Sequence, residues 1–165
     1  MDQLMLVVGT TALLGSALVG GIFFAFSSFV IKALSRLPAA EGIAAMQSIN
    51  IVVLNPSFLG AFIGTAILSL GAVVLAVVGW GRPPAPFLIG GAIFYLYLVG
   101  TFLVTALGNV PLNNQLATLS VNDAGAAEMW DRYVVRWTAW NHVRTVAVMV
   151  AALLYTLGLI QGGRW

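Results

Sequence analysis

The chain has 165 residues, 61% of them hydrophobic and 7% charged, and its mean hydropathy of +1.01 lies far from the balance of a water-soluble domain. Seven basic side chains, scattered rather than clustered, give a net charge of +2 and offer no footprint for nucleic acid, so no such partner is expected. The absence of cysteine excludes disulfides, thiolate catalysis, zinc–thiolate sites and cysteine-ligated iron–sulfur clusters.

One domain, 1–165, is expected, with the bilayer in place of a soluble core. A spanning helix needs roughly 20 mostly apolar residues, and four segments qualify, 4–31, 56–79, 85–107 and 142–161. The first has no basic n-region and outruns a cleavable signal, so it reads as a retained span. Gly9, Gly15, Gly20 and Gly21 in span 1 and Gly60, Gly64 and Gly71 in span 2 read as packing surfaces. Pro38 suits the first turn of a helix, and PAAEGIAAMQSIN predicts a short helix or loop near the interface. Asn55 and Pro56 read as N-cap and first residue of the second span. GWGRPPAP predicts a tight, stiff turn between spans 2 and 3. The long polar connection before span 4 opens with GNVPLNN, where Pro111 is expected to break the helix, and its tail, AGAAEMWDRYVVRW, is expected to run on helically into span 4. The fold class is therefore all-α: an integral membrane four-helix bundle.

Four spans sort the charges. Asp2, Arg82 and Arg164 fall at one membrane face, whereas Lys32, Arg36, Glu41, Asp123, Glu128, Asp131, Arg132, Arg136 and Arg144 gather at the other. His142, Asn55, Asn109, Asn113, Asn114 and Asn141 join this second face. Basic residues favour it by at least four to two, so the positive-inside rule makes the polar loops 32–55 and 108–141 cytoplasmic, in a multi-pass protein of the cell (inner) membrane.

At about 100° per residue, Trp130, Tyr133, Trp137, Asn141, Arg144 and Val148 share one stripe of a continuous helix. His142 points about 100° away from Asn141, nearer in azimuth to Asp131 and Val135. Interfacial Trp, Tyr and snorkelling Arg account for Trp130, Tyr133, Arg132 and Arg136. Asn141, His142 and Arg144 are candidates for a site, because ionisable groups at the start of a span face protein or a water-filled cavity.

NVPLNN at 109–114, the run from Trp130 to WTAWNHVRT, and more weakly GGIFFAFSSFVIKAL make the chain resemble a family of small four-span membrane proteins related to the anthrone oxygenases of fungal polyketide pathways. The resemblance implies a membrane oxidoreductase that oxygenates an anthrone-, quinol- or similar aromatic lipid-soluble substrate, with molecular oxygen as co-substrate and no metal or organic cofactor. It maps Asn109, Asn113 or Asn114, Trp137, Asn141, His142 and Arg144 onto the family's motifs. Such chemistry needs a base for an acidic C–H, donors for the resulting oxyanion and an apolar room for oxygen. His142 is the expected base, Arg144 with the amides of Asn109, Asn113 and Asn141 the donors, and Trp137 and Trp140 the flat apolar surfaces. Asn55 and Asn114 complete the expected substrate-binding set.

Two other readings follow from the same residues. His142 with Asp131, Glu128 or Glu41 would bind iron or copper, for which one histidine is thin support unless a homo-oligomer gathers copies around an axis. A noncatalytic small membrane subunit would dock a protein partner or anionic lipid through Arg132 and Arg136. The partners expected in the catalytic reading are the lipid bilayer and a hydrophobic small molecule.

Overall fold

Backbone polar groups in a bilayer must be satisfied within their own segment, and helices are how this chain does so. The computed structural model describes residues 3–78, 85–96 and 103–162. In chain order they form α1 (Gln3–Ala25), a turn of π-helix (Phe26–Val30), α2 (Ile31–Leu34), α3 (Ala39–Val52), α4 (Pro56–Val78), α5 (Ala85–Leu96), a second π-turn (Thr105–Asn109), α6 (Val110–Ala117) and α7 (Ala126–Gly162).

Helix α1 packs against α4 and α7, and α5 packs against the same two. The centre of this four-membered ring is filled by Ala12, Ala66, Ala72, Ala76 and Ala151 with Phe23, Leu88, Val148 and Tyr155, small residues that let helix backbones approach where lipid supplies no hydrophobic drive. The Tyr155 hydroxyl meets Ser69 Oγ at 2.9 Å within this core. Leu14, Leu18, Ile67, Val74, Val146 and Leu153 lie exposed on the outer faces, as lipid contact requires. Three helical stretches, Gln3–Leu34, Pro56–Val78 and Ala126–Gly162, are long and apolar enough to cross a membrane, which makes this an integral, multi-pass membrane protein. Of the span expected at 85–107, residues 85–96 form α5, and 97–102 lie outside the described ones, as does most of GWGRPPAP at 79–84, so the described residues show three such helices and not the expected four.

With 37 residues, α7 is about 55 Å long, nearly twice the ~30 Å hydrocarbon thickness. Its first half therefore projects past the bilayer, continuous with span 4 as the composition of AGAAEMWDRYVVRW predicts. There it meets α3, the interfacial helix expected after span 1, and α6. Ile31, Ile43, Met46, Leu116, Trp130, Tyr133 and Trp137 make a second core at this end. Gly42 permits the approach of Trp130, whose ring lies 2.9 Å from where a Cβ would stand.

The structure corrects several expectations. Pro111 does not break the helix, because it occupies the first turn of α6, where a missing N–H costs nothing. The preceding π-turn, in which the Val110 N–H bonds to Thr105 O, carries the chain into α6 without leaving helical geometry. In span 1, Gly9, Gly15 and Gly20 do pack, against Leu159, Thr65 and Val148, whereas Gly21 faces open space. In span 2, Gly60 and Gly64 also face open space, since α4 turns the stripe Thr65, Ser69, Ala72 and Ala76 inward instead. Pro38 stands one residue earlier than the first turn of α3, with its carbonyl accepting from the N–H groups of Glu41 and Gly42. Asn55 is the N-cap of α4, its Oδ1 accepting from the Phe58 N–H at 3.0 Å.

A Cβ at Gly91 would stand 2.8 Å from the Tyr155 ring, whereas one at Gly60 meets nothing within 4 Å. Gly91→Ala is expected to cost about 1–3 kcal/mol through overpacking between α5 and α7. Gly60→Ala is expected to be neutral or to gain up to about 1 kcal/mol of helix propensity. Thermal unfolding in detergent checks both, and an unchanged midpoint for Gly91→Ala would contradict the packing described.

Candidate functional site

Where the membrane core meets the polar-end core, the π-turn after α1, the helices α3, α6 and α7 and the start of α4 enclose a cavity of about 570 Å³. Such a volume lies in the range of small-molecule pockets. Each π-turn contributes to it. Ile31 donates to Phe26 O across five residues and Val110 likewise to Thr105 O, and both Phe26 and Thr105 line the cavity. Single π-turns recur at functional sites because the extra residue re-aims side chains.

The stripe predicted on α7 is the buried one: Trp130, Tyr133, Trp137, Asn141, Arg144 and Val148 are all enclosed. Asn141 is fully engaged. Its Nδ2 donates to Phe23 O and to Ser27 Oγ, each at 2.8 Å, and its Oδ1 accepts from an Arg144 Nη at 2.6 Å. A carbonyl only accepts and a guanidinium only donates, so these bonds fix the amide's orientation. Ser27 also lies 3.1 Å from Thr145 Oγ1, which donates back to Asn141 O at 2.8 Å.

Arg144 is only 6% exposed. Its second Nη donates to Thr105 Oγ1 at 3.2 Å, and its Cζ stands 4.4 Å from the centre of the Phe23 ring and 5.4 Å from that of Trp137, within cation–π range. Its Nε has no hydrogen-bond partner, and among the described residues no carboxylate pairs with it. Every other described residue lining the cavity is uncharged, and aromatic rings from Phe23, Phe26, Phe58, Phe62 and Trp137 form much of the wall. Phe58 and Phe62 stack at 5.7 Å, and Phe26 leans on Trp137 at 5.6 Å.

A set of amides lines the same cavity from α3 and α6. Asn113 Oδ1 accepts from the Tyr133 hydroxyl at 2.9 Å and from Trp137 Nε1 at 2.8 Å. Gln47 Nε2 donates to the carbonyls of Leu116 and Leu119 at 2.8 and 3.0 Å, satisfying backbone acceptors at the end of α6. Asn50, also in the wall, stands close to the Tyr133 hydroxyl.

The expected site residues therefore divide. Asn141, Arg144, Trp137, Asn113 and Asn114 line one cavity. His142 does not: it is exposed on the opposite side of α7, since one residue of helix turns it about 100° from Asn141. Trp140 is 43% exposed and lies over Gly108, where a Cβ would stand 2.6 Å from its ring. Asn109 is buried with its Nδ2 on Trp137 O at 3.2 Å, bracing α7 behind the cavity wall. Asn55 serves as a helix cap beside a shallow depression outside the cavity. Among the described residues no three of His, Asp, Glu and Cys gather as a metal site would need, so His142 is not assembled with Asp131, Glu128 or Glu41. Arg132 bonds to Glu128 one turn away on the same helix, and Arg136 is exposed. Sequence reasoning missed Phe23, Phe26, Gln47, Asn50 and Thr105. The available signal was the spacing of Gln47 and Asn50, three apart on a helix whose other polar side chains are Glu41 and Ser48.

Fold and site together define a helical multi-pass membrane protein holding a buried guanidinium in an aromatic-walled cavity. The sequence model of the family described as Anthrone oxygenase matches residues 56–154, and the chain belongs to this family. No curated protein and no solved structure matches it. The match takes in α4 and most of α7, and leaves the cavity walls supplied by α1 and α3 outside it.

Asn141→Ala strands Phe23 O, Ser27 Oγ and the guanidinium at once, so a loss on the order of 3 kcal/mol is expected. His142→Ala, on the exposed side, is expected to stay within about 0.5 kcal/mol of the wild type. Chemical unfolding in micelles compares the two, and equal losses would contradict the inward and outward assignments.

Proposed function

We propose that the chain is a membrane-embedded oxygenase-like enzyme that binds a flat aromatic, lipid-soluble compound as its oxyanion against Arg144. One observation carries this reading: Arg144, a buried guanidinium with no carboxylate partner among the described residues, lines an aromatic cavity. A buried charge without a counter-ion costs several kcal/mol, and an anionic guest would supply the missing partner through charge-assisted hydrogen bonds. Family membership supports the same direction. The exposed apolar residues Ile51, Val52 and Leu54 adjoin the cavity between α3 and α4, a route by which a guest dissolved in the bilayer enters.

For an anthrone-like substrate the chemistry balances without an added reductant. Loss of a proton from the methylene gives an enolate, whose oxyanion the guanidinium and Thr105 stabilise. The carbanion carbon reduces dioxygen and forms a C–O bond. Protonation gives a hydroperoxide, and cleavage of its O–O bond with loss of the second C–H releases water and leaves a new carbonyl, so substrate and dioxygen become quinone and water. In this reading His142, which is exposed and does not line the cavity, is not the base. No carboxylate or imidazole belongs to the described lining. Arg144 therefore acts by lowering the cost of ionisation, and the proton passes to water at the rim near Asn114.

Oxygen uptake by the purified protein supplied with anthrone tests the proposal. Arg144→Gln is expected to lower kcat/KM by about 10²–10³-fold, the effect of removing one oxyanion donor, while His142→Gln stays within about twofold. Wild-type rates in Arg144→Gln would reject the reading.

A further inference from the structure

The corner where α3 turns into α4 is apolar and uncovered. Ile51, Val52 and Leu54 are 74%, 65% and 65% exposed, whereas a connection between helices in water carries polar residues at such positions. The exposed side of α3 changes along its length: Ala40, Glu41, Ala44 and Ser48 come first, then Ile51 and Val52. A helix lying flat on a membrane keeps one apolar stripe from end to end. A gradient from polar to apolar along one side is instead what an inclined helix needs.

The register of the bundle gives the depth. Antiparallel α1 and α4 meet where Gly15 packs directly on Thr65, and again where Val8 packs on Gly71. Asn55, ten residues before Thr65, is therefore level with Ala25, ten after Gly15. Lys32, the first charged residue after Asp2, stands seven residues further out, about 10 Å along the axis. Phe24 and Phe29 lie exposed on α1 over that interval. The exposed Arg136 of α7 also lies outward of the corner, since Asn141 is bonded to Phe23 O, and its long stem lets it snorkel.

The backbone of the corner suits a place without water. Asn55 closes it from both sides: its Nδ2 donates to Val52 O at 2.9 Å, and its Oδ1 accepts from the Phe58 N–H at 3.0 Å. The N–H groups of Val53, Leu54 and Leu59 donate to Ile49 O, Ile51 O and Asn55 O, and Pro56 has no N–H to satisfy. In water such groups find partners freely, but in hydrocarbon each one left open is costly.

We infer that the corner from Ile51 to Asn55 is sunk among the acyl chains of the bilayer, so that α3 is a half-immersed helix and the α3–α4 side of the cavity opens to hydrocarbon. Lipid chains are the partner of this surface because α4, which begins at the corner, already presents Ile63, Ile67, Leu70 and Val74 to lipid. Ile51, Val53 and Leu54 also line the cavity, so one short segment separates it from the acyl chains. No property of Arg144 enters this inference, which stands apart from the anion-binding reading.

The chain has no cysteine, so a single introduced cysteine carries a nitroxide label to a chosen position of the intact protein in liposomes. Collision of the label with oxygen or with a nickel chelate then reads its surroundings. Val52→Cys and Leu54→Cys are expected to match Ile67→Cys on α4, favouring oxygen, at a depth on the order of 10 Å below the lipid phosphates. Ala44→Cys, on the same side of α3, is expected to favour the nickel chelate. Nickel access at positions 52 and 54 equal to that at 44 would put the corner in water and overturn the inference. Poor access by both reagents would mean that protein covers the corner, which overturns the assignment to lipid; spectral broadening that dilution with unlabelled protein removes would identify that cover as a second copy. The measurement uses no ligand, so neither result bears on the Arg144 reading.

Discussion

The arrangement depends on how one amide holds one cation. Asn141 joins α7 to the end of α1 through Phe23 O and to the π-turn through Ser27, and with its remaining oxygen fixes Arg144. A guanidinium buried among rings is tolerable only if most of its donors are engaged and its charge meets π-density, and Thr105, Phe23 and Trp137 complete that shell. The geometry leaves one edge uncommitted, and that edge belongs to the residue that lines the cavity. One set of bonds thus fixes both the orientation of Arg144 and its place in the cavity wall.

The cavity lies at the seam between two differently built cores. In the membrane, alanines bring the helices close. Beyond it, Trp130, Tyr133 and Trp137 stack successively along α7, at 5.6 and 6.3 Å between ring centres, and hold α3 and α6 at a distance set by aromatic side chains. The change from small to large residues along one continuous helix opens space where it occurs. That level is also where apolar guests and water are both at hand.

Much of this was legible in the sequence because helical geometry is regular. The 3.6-residue period placed six residues of α7 on one face, and all six are buried. The Asn55–Pro56 start signal and the helix after span 1 were equally local. What local geometry does not supply is which face of a helix meets which neighbour. His142 attracted a role through its chemistry and its place beside Asn141, although the same period turns it outward. Gly60 and Gly64 misled for a related reason: α4 carries small residues on more than one face, and the face that meets protein is the one bearing Thr65, Ser69, Ala72 and Ala76. Gln47 and Asn50 stayed hidden because their significance depends on α6 lying against α3, a long-range contact without a local signature.

The division between matched and unmatched residues bears on what the chain shares with its family. Arg144, Asn141, Thr105, Trp137 and Asn113 all fall within 56–154, whereas Phe23, Phe26, Gln47 and Asn50 precede it. Arg144 and the α6 and α7 walls of the cavity therefore come from the segment the family model recognises, whereas Phe23 beside the guanidinium and the α3 wall come from one it does not reach. An oxyanion asks the same of any protein, a preorganised cation in a dry setting. The remainder of a substrate makes different demands on size and on hydrogen bonding, and on the proposed reading these fall partly on α1 and α3. Because α3 contacts α6 and α7 through side chains at an interface, without a membrane core to fix its position, its inward face is where substitutions change the guest with least disturbance to the bundle.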